Sequence, residues 1–203
     1  MLSLDQAKTI QKQLAEQVVR KDSFEQVNYV IGVDVGFQDN YSISKASAVV
    51  LSFPELELLE NSIAFLPTEF PYIPGFLSFR EVPVIIKALK ALSYPLQLIF
   101  CDGQGIACHL GVLLDVPTIG VAKSILIGKH DFLTLEKGNC QALTDNKEII
   151  GAALCTRNQV KPLYISLGHR ISLNTAVEYV LNCTTKYRLP ETTRLADQLS
   201  KDF

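Results

Sequence analysis

A carboxylate in the middle of an apolar run constrains this chain more than any other feature. In VNYVIGVDVGF, residues 27–37, Asp34 has a valine on either side. A buried carboxylate is strongly unfavourable unless it is paired, hydrogen-bonded or bound to a cation. A second run, Leu98 to Phe100, ends at Asp102 and a glycine-rich turn, giving LIFCDGQG. Its unbroken apolar character predicts a strand in the interior of a sheet. If the two strands are neighbours, Asp34 and Asp102 lie side by side and repel each other unless a cation bridges them. Magnesium suits such a pair, because it takes one or two carboxylates and keeps positions for water and phosphate oxygens. A site of that kind orients a water and stabilises the leaving oxygen of a phosphodiester. Glu81, just after a proline-rich loop, is a third acidic candidate. More ordinary roles compete with this one. An Asp before Gly is most often a turn former, which suits Asp102. A Glu in a first helical turn is most often a capping or dipole partner, which suits Glu81. Such a role suits Asp34 poorly, because apolar residues flank it on both sides.

The other segments describe a mixed α/β arrangement. Leu4, Ala7, Ile10, Leu14 and Val18 recur at helical spacing. KASAVVLSF and LELLENSIAFL are strand candidates joined by a turn at Pro54 and Glu55. TEFPYIPGF is a stiff loop, since proline restricts the backbone. The following helix, SFREVPVIIKALKAL, is expected to start near Ser78, with Ser78 and Glu81 as a capping box and Pro83 in its first turn. CHLGVLLD reads as a helix and TIGVAKS as a strand, while EIIGAALCT and KPLYISLG read as a hairpin. Ser172 caps a helix over SLNTAVEYVLNCTTKY, and a last helix follows Pro190. Strands in hairpins followed by strands alternating with helices predict an α/β domain with a mixed sheet flanked by helices.

At 203 residues and 48% hydrophobic content, one core and a single domain over residues 1–203 are expected. No apolar run reaches the length of a membrane span, and the N-terminal segment lacks the pattern of a secretion signal. Five scattered cysteines, with no C-x-x-C pair, argue against a disulfide framework or zinc knuckle and suit a reducing, cytoplasmic setting. A net charge of −2 argues mildly against nucleic-acid binding. A local basic groove or a bound metal ion removes that objection.

Six strings coincide in order: GVDVGF, PYIPGFLSFRE, DGQGIA, HLGVLLDVPTIGVAKS, GHRISL and YRLPETTRLAD. Together they resemble the endonuclease V family of deoxyinosine-specific repair nucleases, over nearly the whole chain. The resemblance implies a ribonuclease H-like fold. It implies Asp34, Glu81 and Asp102 as metal-binding catalytic carboxylates served by Mg2+, with Mn2+ as a substitute. It further implies His169 close to the metal, Lys123 near the reacting phosphate and Tyr72 as a wedge at the lesion. The implied reaction is hydrolysis of the second phosphodiester 3′ to a deaminated adenine, leaving 3′-hydroxyl and 5′-phosphate ends. The implied partner is DNA containing deoxyinosine or other deaminated bases, with inosine-containing RNA as an alternative, bound by a monomer.

Residue chemistry agrees with several of these roles. Tyr72, held between Pro71 and Pro74, is a stiff aromatic able to fill the space left by a departed base. Gly103 and Gly105 let the backbone approach a flipped base closely. Lys123 either snorkels to solvent or offers its charge to a phosphate. Arg80, Arg170, Lys186 and Arg188 are candidate phosphate contacts.

One departure stands out. Asp102–Ala107 runs straight into Cys108-His109-Leu110-Gly111, where members of the family carry a further segment of about eight residues. That segment shapes part of the base pocket, so its loss is expected to reduce recognition of hypoxanthine and the rate while leaving metal binding in place. Two alternatives follow. One is a lesion-binding protein of the same fold with little cleavage. The other, suggested by IGVDVG alone, is a phosphotransferase of actin-like fold, for which the chain is short.

Overall fold

The structure, a computed structural model, describes residues 2–103 and 105–201, so Gln104 of the DGQG turn lies outside it. The elements in chain order are α1 (Leu4–Gln17), β1 (Tyr29–Gln38), β2 (Ile43–Ser52), β3 (Leu58–Pro67), α2 (Leu77–Leu89), β4 (Ile99–Asp102), α3 (Ile106–Leu114), β5 (Thr118–Ala122), β6 (Cys140–Asp145), β7 (Glu148–Leu154), β8 (Leu163–Leu167), α4 (Leu173–Asn182) and α5 (Glu191–Lys201). One sheet holds the strands in the order β3-β2-β1-β4-β5-β8-β7-β6. β1, β4 and β5 run parallel, and the remaining pairs are antiparallel. This is the mixed sheet flanked by helices that the pattern predicts.

The elements differ from the sequence reading in several details: α4 ends at Asn182, short of Tyr187, α3 starts at Ile106, before Cys108, and two further differences have a clear physical reason. β6 escapes a pattern search because Leu143 is its one fully buried residue and it forms the sheet's edge. α2 starts one residue earlier than Ser78, after a turn in which Phe76 N–H donates to Ile73 O at 3.0 Å. The N-cap is therefore Phe76, without a side-chain cap, and Pro83 falls inside the helix. Ser78 is no capping residue. Its hydroxyl lies 2.9 Å from Nδ1 of His109.

The alternation of β1 decides what covers each face of the sheet. Side chains two apart share a face. Ile31, Val33 and Val35 join the cluster that packs against Val82 and Ile85 of α2 and Leu110 of α3. Val30 belongs instead to the opposite cluster, with Phe100, Ile119, Val121 and Ile165 against Ala176 and Val180 of α4. Each fully buried aliphatic or aromatic side chain contributes roughly 1.5–3 kcal/mol. These two clusters therefore hold the sheet together and offset what is unfavourable elsewhere.

Gly32, Asp34 and Gly36 lie on the same face as Val30, and there α5 lies flush on the strand. A Cβ on Gly32 would overlap the Thr192 carbonyl, and one on Gly36 would stand 2.9 Å from the Ser200 carbonyl oxygen. α5 answers with small residues four apart, since Thr192, Ala196 and Ser200 are all buried. The Ser47 hydroxyl on β2 donates to Ala196 O at 2.7 Å and fixes the helix laterally.

Gly32→Ala is expected to destabilise the protein by about 1–3 kcal/mol or more, because a backbone carbonyl cannot rotate aside. Gly36→Ala, with its milder approach, is expected to cost less. Urea unfolding midpoints should fall in the order wild type, Gly36→Ala, Gly32→Ala, and the reverse order of the two variants would contradict this packing.

Candidate metal centre

β1 and β4 are parallel, with Val33 opposite Cys101. The next residue on each is an aspartate, so Asp34 and Asp102 emerge side by side. α5 adds a third carboxylate, Asp197. Ligand oxygens of Asp34, Asp102 and Asp197 all lie within 4.8 Å of one another. Glu81 stands outside this trio but feels it electrostatically. Burial first, then the charges of Asp34 and Asp102, push its pKa up to about 8. The Asp34 pKa is also raised, chiefly by burial, with Asp102 and Asp197 adding to it and the Ser200 hydrogen bond opposing.

Two lysines temper the repulsion. Lys123 Nζ donates to Asp102 Oδ2 at 2.8 Å and to Asp197 Oδ1 at 3.1 Å. Lys201 Nζ donates to Asp197 Oδ2 at 2.7 Å. Burial works to raise the Asp197 pKa, but the hydrogen bonds from Lys201 and Lys123 outweigh it and bring the pKa below the usual value. The Lys123 pKa is raised, since its two carboxylate partners outweigh the opposing effect of burial. Arg188 donates to the carbonyls of Lys123 and Pro162, which makes it a support for the lysine's backbone.

The structure thus brings Asp34, Asp102 and Lys123 together and sets Glu81 beside them. Asp197 is the residue that sequence reasoning passes over. In an amphipathic helix one more acidic residue carries no signal. The available clue is the small-residue spacing of Thr192, Ala196 and Ser200, which marks α5 as a helix seated closely on something.

His169 is placed elsewhere, contrary to expectation. β8 runs antiparallel to β5, so the chain leaves β8 at the Thr118 end of that strand. Asp102 pairs with Val121, three residues along, or about 10 Å at strand rise. His169 N–H donates to Thr118 Oγ1 at 2.9 Å, its Nδ1 accepts from Val19 N–H at 3.2 Å, and Nε2 lies 3.1 Å from Asp115 Oδ1. Arg170 donates to Asp115 and to the Ser23 carbonyl. The GHR segment therefore straps residues 19–23 to the far end of the sheet.

The loop and turn candidates border the strand ends. Tyr72 is 68% exposed in the β3–α2 loop, and Gln11 Nε2 donates to Gly75 O at 2.8 Å in the same loop. Gly103 has φ +112° and Gly105 φ +87°, a region that favours glycine. Gly103 N–H donates to Val121 O at 3.1 Å and carries the sheet ladder past Asp102. Space above Gly105 is open, with no atom of the described residues within 4 Å of an added Cβ. Arg80 stacks 4.2 Å over the ring of Phe37. A cavity of about 490 Å³ lined by Phe70, Phe79 and His109 contains none of the clustered carboxylates.

Residues 12–198 match the family model described as Endonuclease V. Endonuclease V of Rippkaea orientalis is 60% identical, with 98% of this chain and 91% of the relative covered. That alignment spans 208 positions, more than the 203 residues of this chain, so the relative carries residues that are absent here. The crystal structure of Endonuclease V from Streptomyces avermitilis superposes with a TM-score of 0.93 at 37% identity, covering 99% of this chain and 92% of that one. Ciona intestinalis Endonuclease V, solved in complex with a 23mer DNA containing an inosine followed by a ribo-adenosine, has a TM-score of 0.86 at 29% identity and is covered over 95% of its length, with 98% of this chain.

The raised Glu81 pKa has a stability consequence in metal-free protein. Folding binds its proton more tightly than the unfolded chain does. The stability contributed is full below about pH 4.5 and lost as pH rises through about 8. In chelator, the Tm of wild type should decline across that window relative to Glu81→Gln, whose amide cannot ionise. Parallel Tm–pH curves for the two proteins would contradict the placement of Glu81.

Proposed function

Since the chain belongs to the endonuclease V family, we propose that it is a DNA-repair endonuclease that hydrolyses the second phosphodiester 3′ to deoxyinosine. The reaction is magnesium-dependent, manganese substitutes, and the ends left are a 3′-hydroxyl and a 5′-phosphate. Carboxylates of Asp34, Asp102 and Asp197 within 4.8 Å of one another carry this proposal. Three oxygen donors so close, with the ammonium of Lys123 bridging Asp102 and Asp197 and that of Lys201 on Asp197, form a donor set that fits a hard divalent cation. These three residues, with Glu81 beside them, would hold the metal. A bound magnesium ion supplies Lewis acidity at the phosphate and an activated water.

The chain's own residues do the rest. Lys123 keeps a positive charge at the mouth of the cluster, where it faces a substrate phosphate once the carboxylates are otherwise neutralised. Tyr72, exposed on a proline-stiffened loop, fills the stack when the damaged base leaves it. Gly103 and Gly105 present bare backbone beside Asp102 to the extruded nucleotide. DNA binding by a relative supports the choice of partner, since the Ciona protein holds an inosine-containing strand. The protein acts as a single-domain monomer in this proposal. All five cysteines are free, which suits a reducing compartment such as the cytoplasm.

The short turn between Asp102 and α3 favours one second reading, a lesion binder with little cleavage. Here α3 begins at Ile106 directly from Gly105, which leaves no room for a base-pocket segment. A labelled duplex with a single deoxyinosine, incubated with Mg2+, Mn2+ or chelator, separates the two. Metal-dependent nicking one nucleotide beyond the lesion, reduced at least about a hundredfold in Asp34→Asn, is the expected outcome. Binding without nicking would establish the lesion binder. Tyr72→Ala should weaken binding to the deoxyinosine duplex by about 5- to 100-fold, equivalent to one lost stacking contact. Unchanged affinity in a gel-shift titration would remove Tyr72 from the lesion site.

A further inference from the structure

Asp34 is held by a group with no role in the scheme above. The Ser200 hydroxyl donates to Asp34 Oδ2 at 2.5 Å. Ser200 is 3% exposed, so water does not compete for that bond. Its Oγ also lies 3.0 Å from the carbonyl of Asp197, one helical turn earlier. Just beyond Asp34, a Cβ on Gly36 would stand 2.9 Å from the Ser200 carbonyl oxygen. Ser200 therefore sits where the helix carrying Asp197 touches the strand carrying Asp34.

We infer that Ser200 is a positioning residue for the divalent cation: its hydroxyl fixes the rotation of the Asp34 carboxylate and locks that ligand to the helix supplying Asp197. The inference rests on the metal-centre proposal above. A carboxylate on a β-strand turns about two side-chain bonds, and a hydrogen bond to one oxygen selects the rotamer that directs the other. Partners that orient ligands in this way typically change metal affinity by 10- to 100-fold when removed. The hydroxyl is also well suited in kind. It stabilises the charge on Asp34 without adding a formal charge that would repel a cation, whereas Lys123 and Lys201 bring such charges to Asp102 and Asp197.

The test is Mn2+ binding to the DNA-free protein, followed by the electron paramagnetic resonance signal of free Mn2+. Asp34→Asn is expected to abolish tight binding. Ser200→Ala should weaken affinity about tenfold, and Ser200→Thr, which keeps the hydroxyl, should restore most of it. Nicking assays read the same effect in another way. For Ser200→Ala, the Mg2+ concentration giving half-maximal rate should rise about tenfold, while the rate at saturating Mg2+ stays within about threefold of wild type. Thermal melts in chelator identify any variant whose loss is one of folding, and Ser200→Cys, similar in size but a weak donor, then stands in for Ser200→Ala. An affinity for Ser200→Ala within twofold of wild type, with Asp34→Asn inactive, would overturn the inference alone. Equal weakness of the Ala and Thr variants would also overturn it, by making packing the cause. If Asp34→Asn bound Mn2+ as wild type does, the metal-centre proposal itself would fall, and the role of Ser200 with it.

Discussion

The carboxylate cluster of Asp34, Asp102 and Asp197 depends on how closely α5 can lie on β1. A helix normally stands off a strand by the thickness of two layers of side chains. Here the strand presents Gly32 and Gly36 on either side of Asp34, and the helix presents Thr192, Ala196 and Ser200. The missing Cβ atoms let the helix backbone lie against the strand, and in that seating Asp197 reaches the carboxylates of Asp34 and Asp102. The GVDVG string is thus two devices interleaved. Its valines build the core under α2, and its glycines bring α5 down onto the aspartate between them.

The resulting cluster is electrostatically unfavourable in isolation. Burial and mutual repulsion raise the pKa of Asp34 and bring that of Glu81 to about 8. Such groupings concentrate at functional sites because the rest of the fold offsets their cost. Lys123 and Lys201 partly relieve the strain. They do so from flexible side chains that can move, whereas the carboxylates are fixed by a parallel register and a packed helix. In the proposed function, the divalent ion would enter between these carboxylates by displacing the lysine side chains, without rebuilding the protein.

What could be read in the sequence follows from locality. Asp34 stood out because its own neighbours contradict it, and Asp102 because a strand visibly ends on it. Ser172 caps α4 as its position suggests, since capping is decided within four residues. The opposite holds for Ser78 and His169, whose surroundings are set by distant parts of the chain. The partner of Ser78 is His109 on another helix, and the place of His169 follows from the direction in which β8 pairs with β5. Asp197 and Ser200 depend on a contact between residues more than 160 positions apart, Ser200 with Asp34, to which no periodicity refers. The family resemblance points to the strings, and the geometry decides which residue of each reaches the cluster.

The most direct test of this account is diffraction from crystals soaked in Mn2+, with data collected at the manganese absorption edge. The account predicts an anomalous peak bounded by the carboxylates of Asp34, Asp102 and Asp197, with Lys123 Nζ displaced from Asp102. A peak beside Asp34 and Asp102 but away from Asp197, or none at the cluster while the ion binds elsewhere, would contradict the claim that the close seating of α5 builds the metal centre.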